Sequence, residues 1–354
     1  ILNELGGSLS QAGLAMTLFM VSAIAVRPFS GLIIEKLGTK KALYISETLF
    51  CLFSLTYVFA DNLTILMIIR FLHGIWFSIL TTVTVPVVND FIPAKRKGEG
   101  MGYFLMSINL GIVLGPLIGL TFIQSMSYTA VAGILASFVV LGFIFCFLIP
   151  LPSHQKTAME TPKKRLSIHD FIEFKALPVA LMAMMISFCY ASIMSFIATF
   201  AESKHMLAYA SLFFAVFAIS MMSLRPITGK IYDRKGPNAV VYPALILFSI
   251  GLAVLAFIDS VAGLLFSAVL IGMGFGSAQP CLQTISIQRS PKNRIGHATS
   301  TYFTFYDLGI AIGSIVLGMI IADTSYAVAY SICAVLVLIS LIYYKFMVAS
   351  KPVS

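Results

Sequence analysis

Charged side chains deep inside apolar stretches are the residues of this sequence best suited to chemistry. Asp307 lies near the middle of an apolar run at 297–322, and Glu47 and Arg70 lie inside two other runs. Removal from water makes a charged carboxylate costly, so an acid in such a place can bind and release a proton as part of a function. We predict proton coupling at these three residues. The alternative is that a neighbouring arginine or hydroxyl holds Asp307 in one state.

A second set of side chains could surround a bound small molecule. Ser300, Thr304 and Ser314 recur with Asp307 at helical spacing and give that run one small or polar face. Aromatic rings and flexible thioethers suit apolar ligands of varied shape, although they are also ordinary packing residues. The residues predicted to line a substrate cavity are His73, Trp76, Tyr190, Gln279, Tyr302 and Tyr306.

These residues must be positioned by helices in a lipid bilayer. Hydrophobic residues make up 59% of the 354-residue chain and charged residues only 10%, whereas a soluble domain carries about 25% charged residues. A helix needs about 20 apolar residues to cross a membrane. Eleven runs approach that length, at 12–34, 42–60, 63–91, 100–123, 128–150, 177–201, 207–231, 239–258, 261–288, 297–322 and 325–345. The predicted fold class is therefore all-α integral membrane.

The runs belong to two copies of one multi-helix unit, offset by 198 residues. Arg27-Pro28-Phe29-Ser30-Gly31 returns as Arg225-Pro226-Ile227-Thr228-Gly229. Duplicated helix bundles are the architecture of many secondary transporters. The same register also pairs Glu35 with Asp233, Gly38 with Gly236, Gly74 with Gly272, Arg96 with Arg294, and Gly115 with Gly313.

The second copy has six runs and the first only five. The run at 177–201 has no counterpart, because the offset places it before Ile1. We expect a twelve-helix protein of which eleven helices are present. It would consist of an N-terminal bundle at 1–150, a polar linker at 151–176 and a C-terminal bundle at 177–354. Six helices per copy preserve orientation, so a pseudo-two-fold axis along the membrane normal would relate the two bundles.

The net charge of +9 follows membrane topology rather than nucleic-acid binding. Nineteen of the 23 lysines and arginines lie in alternate loops or in the C-terminal tail, and the opposite loops hold only Lys204. Positive charge concentrates in the cytoplasmic loops of membrane proteins. The linker and the C-terminus are therefore predicted to be cytoplasmic, and no nucleic-acid partner is expected.

The loop after the first run carries a pattern of glycines and charges. It reads Gly31-Leu32-Ile33-Ile34-Glu35-Lys36-Leu37-Gly38-Thr39-Lys40-Lys41. The loop resembles the hallmark of the major facilitator superfamily, although the usual acid is Asp and here it is Glu35. The resemblance implies a cytoplasmic charge latch that stabilises the outward-facing state; the alternative is a solvated basic turn that only sets topology. The predicted latch comprises Gly31, Glu35, Lys36, Gly38, Arg96, Gly229, Asp233 and Arg234.

Two further motifs are similar to motifs of the same superfamily. Arg70-Phe71-Leu72-His73-Gly74 resembles its pattern of an arginine followed four residues later by glycine. Gly111-Ile112-Val113-Leu114-Gly115-Pro116-Leu117-Ile118-Gly119 looks like the motif that marks drug:proton antiporters, carried here by Gly111, Gly115, Pro116 and Gly119. Arg27 and Arg225 lie nearer the predicted cytoplasmic ends, and we interpret them as structural residues that snorkel or pack.

The resemblance implies a proton-coupled exporter of hydrophobic or amphipathic molecules such as drugs, working by alternating access. Its partners would be a small-molecule substrate, protons and the lipid of a bacterial plasma membrane. It would act as a monomer without a metal or a cofactor. A sugar or metabolite uptake carrier of the same fold is the alternative. A membrane enzyme is disfavoured, because no set of His, Asp and nucleophile is clustered in the sequence. A channel is disfavoured, because it has no need of a charge latch in both halves.

The predicted topology can be tested with cysteines placed at Lys164 in the linker and at Lys204 in an opposite loop. In intact cells a membrane-impermeant maleimide should label only the Lys204 position. Lysis should make both positions reactive, which controls for burial. Labelling of the Lys164 position alone would overturn the topology.

Overall fold

The computed structural model describes residues 9–123, 126–151 and 167–349, and all regular secondary structure within these ranges is helical. The helices are α1 (Leu9–Leu37), α2 (Thr39–Thr56), α3 (Leu63–Phe91), α4 (Lys97–Ile123), α5 (Tyr128–Leu148), α6 (Leu177–Ser203), α7 (Ala210–Lys235), α8 (Asn238–Ala256), α9 (Val261–Gln288), α10 (Ile295–Asp323) and α11 (Tyr326–Tyr343). A short 3-10 turn at Tyr57–Phe59 extends α2, and a π-helix at Tyr344–Ala349 extends α11. Most of the predicted linker, at 152–166, lies outside the described residues.

The helices lie where hydropathy and charge predict them. The bounds of α3 and α9 coincide with the predicted runs at 63–91 and 261–288, and the other helices differ from their runs by a few residues at the ends. Ten helices, all except α4, contain an apolar window long enough to cross a membrane, counted over the described residues. The predicted all-α, multi-pass membrane architecture is confirmed.

The turns after α1 and α7 are equivalent under the sequence offset and share one geometry. Gly38 has a φ of 80° and Gly236 a φ of 82°, in the left-handed region where a Cβ causes strain. Their amides donate to the carbonyls of Ile34 and Tyr232, at 2.8 and 2.9 Å. The duplication therefore extends to the backbone of the loops.

The described chain forms two compact units that mix the two sequence copies. Of the described residues, the first unit holds 9–88, 114–123, 126–151, 167–173 and 292–301, and the second holds 89–113, 174–291 and 302–349. The bundles predicted at 1–150 and 177–354 stay a prediction drawn from the duplicated sequence.

The second unit has a continuous core that includes α6 to α9 and α11. Its fully buried side chains include Phe200, Phe213, Phe248 and Tyr330. The rings of Phe200 and Tyr330 meet edge to face, with centroids 5.2 Å apart. Within lipid the stabilisation comes from such close packing, because the surrounding hydrocarbon is as apolar as the core.

The first unit has smaller buried clusters. One contains Ile34, Leu43 and Val83, from α1, α2 and α3. Large apolar side chains on its surface are exposed, among them Phe59 and Phe138. A continuous exposed apolar surface of this kind is typical of a protein that contacts a membrane.

Glycines on α9 allow two neighbouring helices to approach at backbone distance. A Cβ on Gly274 would lie 2.4 Å from the amide nitrogen of Phe248 on α8. A Cβ on Gly272 would lie 2.5 Å from the carbonyl oxygen of Phe217 on α7. Any larger residue at either position would have to displace the backbone of the neighbouring helix.

The first unit repeats the second of these contacts. A Cβ on Gly74 of α3 would lie 2.3 Å from the carbonyl oxygen of Phe19 on α1. Gly74 and Phe19 precede Gly272 and Phe217 by the same 198 residues. In both copies, therefore, the helix before the charged loop packs closely against the helix two further along the chain: α1 against α3, and α7 against α9.

We expect Gly274→Ala to lower the stability of the protein by roughly 1–3 kcal/mol, because the new methyl group meets backbone that cannot rotate away. Thermal unfolding in a mild detergent would measure the loss. Gly133→Ala on α5 is the matched control, since no atom lies within 4 Å of its added Cβ. That control should be neutral or stabilising by up to about 1 kcal/mol. Equal effects of the two substitutions would contradict the packing argument.

Candidate functional site

The loop acid of the second copy caps the start of α4. Asp233, near the end of α7, accepts hydrogen bonds from the backbone amides of Gly98 at 2.7 Å and Glu99 at 2.9 Å. The first amides of a helix lack partners within the helix, and their partial positive charge favours an anion. Gly229 permits the approach, because a Cβ there would lie 2.7 Å from the Cα of Glu99. Asp233 therefore supplies α4 with the acceptor that an N-cap residue usually supplies.

The loop acid of the first copy has a different partner. The Oε2 atom of Glu35, near the end of α1, lies 2.7 Å from Nε2 of His297 near the start of α10. Glu35 is half exposed, whereas His297 is buried. Gly31 lies against the imidazole, since its added Cβ would be 2.8 Å from Nδ1. His297 is the equivalent of Glu99 under the offset, so equivalent helix starts are contacted through amides in one copy and through a side chain in the other.

The basic members of the predicted latch do not join these contacts. Lys36, Arg96 and Arg234 are exposed, and the ion pairs found within the described residues do not include them. Asp233 and Glu35 therefore contact helix amides and an imidazole, and not the lysine and arginine side chains expected from the sequence. Exposed ion pairs contribute roughly 0–1 kcal/mol, whereas a hydrogen bond to a charged group contributes about 1.5–3 kcal/mol.

A further contact at the start of α10 was missed by sequence reasoning. Arg294 forms an ion pair with the buried Glu173 and donates to the carbonyl of His169 at 2.6 Å. The amide of Glu173 donates to Oγ1 of Thr301 at 2.9 Å. The segment before α6 is therefore fixed to the start of α10. The sequence repeat pairs Arg294 with Arg96. Because Arg96 is exposed and has no such ion pair in the described part of the chain, the repeat gave no indication that Arg294 would bind Glu173.

The two arginines that begin the repeated pattern have unequal surroundings. Nη1 of Arg27 donates to Oγ1 of Thr81 at 2.7 Å. The carbonyl of Ser78 and Oγ1 of Thr82 both lie 3.4 Å from the same nitrogen. In contrast, Nε and Nη1 of Arg225 are buried and have no hydrogen-bond partner among the described residues. Both side chains pack inside the protein, and neither snorkels to its surface.

His73, on α3, is held by a directed chain of hydrogen bonds. Its Nδ1 lies 3.0 Å from the hydroxyl of Tyr57, and its Nε2 lies 3.2 Å from Oγ of Ser54. Ser54 donates its own hydrogen to the carbonyl of Phe50 at 2.8 Å. With its hydrogen on this carbonyl, Ser54 accepts from Nε2–H and Tyr57 donates to Nδ1. Both ring nitrogens are then engaged by hydroxyl groups.

Arg70 lies one turn before His73 and is surrounded by aromatic rings. Its guanidinium carbon is 5.4 Å from the ring centroid of Tyr57 and 6.0 Å from that of Phe19. These are cation–π distances. The Nε atom of Arg70 is buried without a hydrogen-bond partner among the described residues. The expected pairing of Arg70 with Asp307 stays a prediction.

Asp307 lies on α10, partly buried, next to stacked tyrosines. The rings of Tyr302 and Tyr306 are nearly parallel, with centroids 6.3 Å apart. The hydroxyl of Tyr302 donates to the carbonyl of Gln279 at 3.0 Å. Tyr190 stacks on Phe275 of α9, with ring centroids 4.0 Å apart. Four of the predicted cavity residues are therefore found in one aromatic region beside the interior acid.

The remaining predicted residues are more dispersed. Glu47 is partly buried on α2, with its Oε1 4.0 Å from the position of a Cβ on Gly142 of α5. Trp76 is partly buried on α3. Gly111 has open space around it. The other members of the α4 motif, Gly115, Pro116 and Gly119, lie at 112–121, where side-chain surroundings fall outside the described part of the chain.

Two copies of a membrane helix unit, with interior charges and acid contacts at equivalent loops, define the class of secondary transporters. The family model described as Major Facilitator Superfamily matches residues 1–314. The chain belongs to the major facilitator superfamily.

Solved structures show the same fold. The human organic anion transporter MFSD10 (TETRAN) superposes with a TM-score of 0.81 at 17% identity, over 94% of this chain and 83% of that one. The E. coli fucose:proton symporter FucP gives a TM-score of 0.77 at 16% identity, over 96% and 91% of the two chains.

Curated relatives match over shorter segments. The MFS transporter L2 of Phoma sp. (strain ATCC 20986 / MF5453) is 31% identical over 140 residues, which is 40% of this chain and 23% of the relative. The quinolone resistance protein NorA of Staphylococcus aureus is 30% identical over 118 residues, 33% of this chain and 30% of the relative. The chain thus spans less than a third of the length of these two relatives.

We expect Asp233→Asn to be more destabilising than Glu35→Gln. The first substitution removes the charge that two helix amides bind, at a cost of about 1–3 kcal/mol. The second keeps a hydrogen-bond acceptor for His297 and loses only charge at a half-exposed position. Thermal unfolding of the purified variants would rank them. Asp259→Asn, which breaks only the exposed ion pair with Lys204, should change little. A Glu35→Gln loss equal to or larger than that of Asp233→Asn would contradict the capping role.

Proposed function

We propose that this transporter exports hydrophobic or amphipathic small molecules, such as drugs, in exchange for protons. The observation that carries the direction of transport is the pattern from Gly111 to Gly119 on α4, which resembles the motif of drug:proton antiporters. The local similarity to the quinolone resistance protein NorA supports the same reading.

The two acid contacts would form the latch of an alternating-access cycle. Asp233 joins α7 to the start of α4, and Glu35 joins α1 to the start of α10. Each contact links a helix of one sequence copy to a helix of the other, so it must break when those helices separate. A contact made in only one conformation shifts the equilibrium toward that conformation by its own free energy. We assign the latched loops to the cytoplasmic side and the latched conformation to the outward-facing state.

Asp307 would carry the exchanged proton. It lies near the middle of α10, partly buried and adjacent to Tyr306. A carboxylate that is protonated in one conformation and charged in the other couples proton entry to substrate exit. Each charge that enters releases roughly 2.3 kcal/mol per 100 mV of membrane potential. Arg70 and Glu47 are the further candidates, Arg70 as a fixed positive charge and Glu47 as a second acid.

The substrate would be hydrophobic and neutral or cationic. Tyr190, Tyr302 and Tyr306 offer aromatic surface, which binds apolar bodies and attracts cations. Asp307 adds a negative charge in the same region. Arg70 would instead favour an anionic group, so a panel of substrates of different charge is the decisive comparison.

The proposal places the protein in a bacterial plasma membrane as a monomer. The orientation in the membrane is supported by the distribution of lysines and arginines, of which nineteen lie on one set of loops and the tail. The linker and the C-terminus would then face the cytoplasm.

Transport by reconstituted protein should depend on a pH gradient and on Asp307. In proteoliposomes with an imposed gradient, the wild type should move a fluorescent lipophilic cation uphill, and an ionophore that collapses the gradient should stop it. Asp307→Asn keeps the size of the side chain but cannot titrate, so uphill movement should fall to the level of empty liposomes. Asp323→Asn, at the exposed end of the same helix, is the matched control and should transport normally.

Two outcomes would contradict parts of the proposal. Full pH-driven transport by Asp307→Asn would remove Asp307 from proton coupling while leaving export intact. An efflux-deficient bacterium that expresses the protein should gain resistance to lipophilic cations, fluoroquinolones or phenicols. No change for any of these compounds, together with energy-dependent uptake of a sugar or organic acid, would show that the exporter assignment is wrong.

A further inference from the structure

Arg225 is a buried cation whose hydrogen-bonding needs the protein does not meet. Its side chain lies on α7, inside the second unit, and only 2% of its surface is exposed. Its Nε and Nη1 have no hydrogen-bond partner among the described residues. Arginine stays charged in proteins, so this position carries a full positive charge and at least two unused N–H donors.

The equivalent arginine of the first copy shows what Arg225 lacks. Arg27 is surrounded by oxygen atoms of three residues on α3, namely Ser78, Thr81 and Thr82. The corresponding positions on α9 are Gly276, Gln279 and Pro280. Glycine and proline have no side-chain oxygen. The backbone carbonyl of Gln279 accepts from Tyr302. At these positions α9 thus lacks the hydroxyl groups that serve the arginine in the other copy.

A small cavity lies beside Arg225, and one of these three positions, Pro280, is part of its lining. Its volume is about 10 Å³, enough for about one species the size of a water molecule. Its walls come from α4, α7 and α9, and they include Arg225, Gly98, Gly229, Pro280 and Thr284. Thr284 donates its hydroxyl hydrogen to the carbonyl of Pro280 at 2.9 Å.

The lining contains no carboxylate. The loop acid nearest in sequence to Arg225 is Asp233, and its two oxygens already accept from the amides of Gly98 and Glu99. A water molecule would satisfy the N–H donors but would bring no negative charge into contact with the guanidinium. Burial of an uncompensated charge is among the most costly arrangements in a protein, and most costly of all within a membrane.

We propose that the cavity beside Arg225 binds one small monovalent anion, of which chloride is the abundant example. The anion accepts from Nε and Nη1 of the guanidinium and neutralises it. Because Gly98 and Gly229 form both the wall of the cavity and the close contact below Asp233, the anion also stabilises the junction of α4 and α7. The test of this site does not depend on what the protein transports.

The site can be tested by thermal unfolding of the purified transporter without substrate. Sodium chloride is titrated against sodium gluconate at constant ionic strength. The unfolding temperature should rise by several degrees with chloride and then saturate, because a ligand that binds only the folded state stabilises it by mass action. Bromide should replace chloride. Sulfate should not, since it is divalent and too large for the cavity.

Three variants link the effect to this arginine. Arg225→Gln should abolish the chloride dependence, whereas Arg27→Gln, at the equivalent position with protein partners, should lower stability and keep the dependence. Gln279→Thr restores a hydroxyl at the position equivalent to Thr81 and should weaken chloride binding several-fold. Chloride titration of the wild type needs no variant and remains informative if Arg225→Gln fails to fold.

Equal unfolding temperatures of the wild type in chloride and gluconate would overturn the proposal and leave the cavity to water. An equal chloride effect in Arg225→Gln would overturn it as well, because the anion would then bind elsewhere. Failure of the transport assay would not affect either result, since unfolding is measured without substrate and without a gradient.

Discussion

The start of a membrane helix presents amides that must find acceptors, and the way this chain supplies them determines how its helices are joined. Hydrocarbon offers no hydrogen bonds, so each such amide needs a partner from the protein or from the membrane surface. At α4 the partner is the carboxylate of Asp233, carried by α7. The contact needs Gly229, since a side chain there would push the two backbones apart. Gly229 and Asp233, four residues apart on α7, are therefore both needed for this contact.

The two copies make an acid contact at equivalent positions, but the acids and the groups that they contact differ. Where α7 offers the short Asp233 to an amide pair, α1 offers the longer Glu35 to the ring of His297. A longer side chain reaches past the backbone to a side chain, so the two changes fit each other. The arginines differ in a similar way: Arg27 has hydroxyl partners, and Nε and Nη1 of Arg225 have none among the described residues. Duplication has preserved the distances between helices more strictly than the groups that fill them.

Much of the architecture could be predicted, because lipid imposes simple rules on sequence. The bounds of α3 and α9 followed from apolar length alone, and the equivalent turns at Gly38 and Gly236 from the repeat. The partners of the loop acids could not be predicted. Neighbouring lysines and arginines were the obvious candidates, but the acids instead bind a helix start more than a hundred residues away in sequence. A fixed offset predicts which positions are equivalent, and it says nothing about which atoms meet.

The hydrogen-bond chain through His73 has a consequence for proton transfer. Protons move along such chains only when each member can pass one on, and this chain ends at the backbone carbonyl of Phe50, which cannot. The imidazole accepts from Tyr57 and donates to Ser54, so neither nitrogen is available to a proton arriving from the side. His73 is therefore held by hydroxyl groups on both sides of its ring, and proton coupling stays proposed for Asp307 and Glu47.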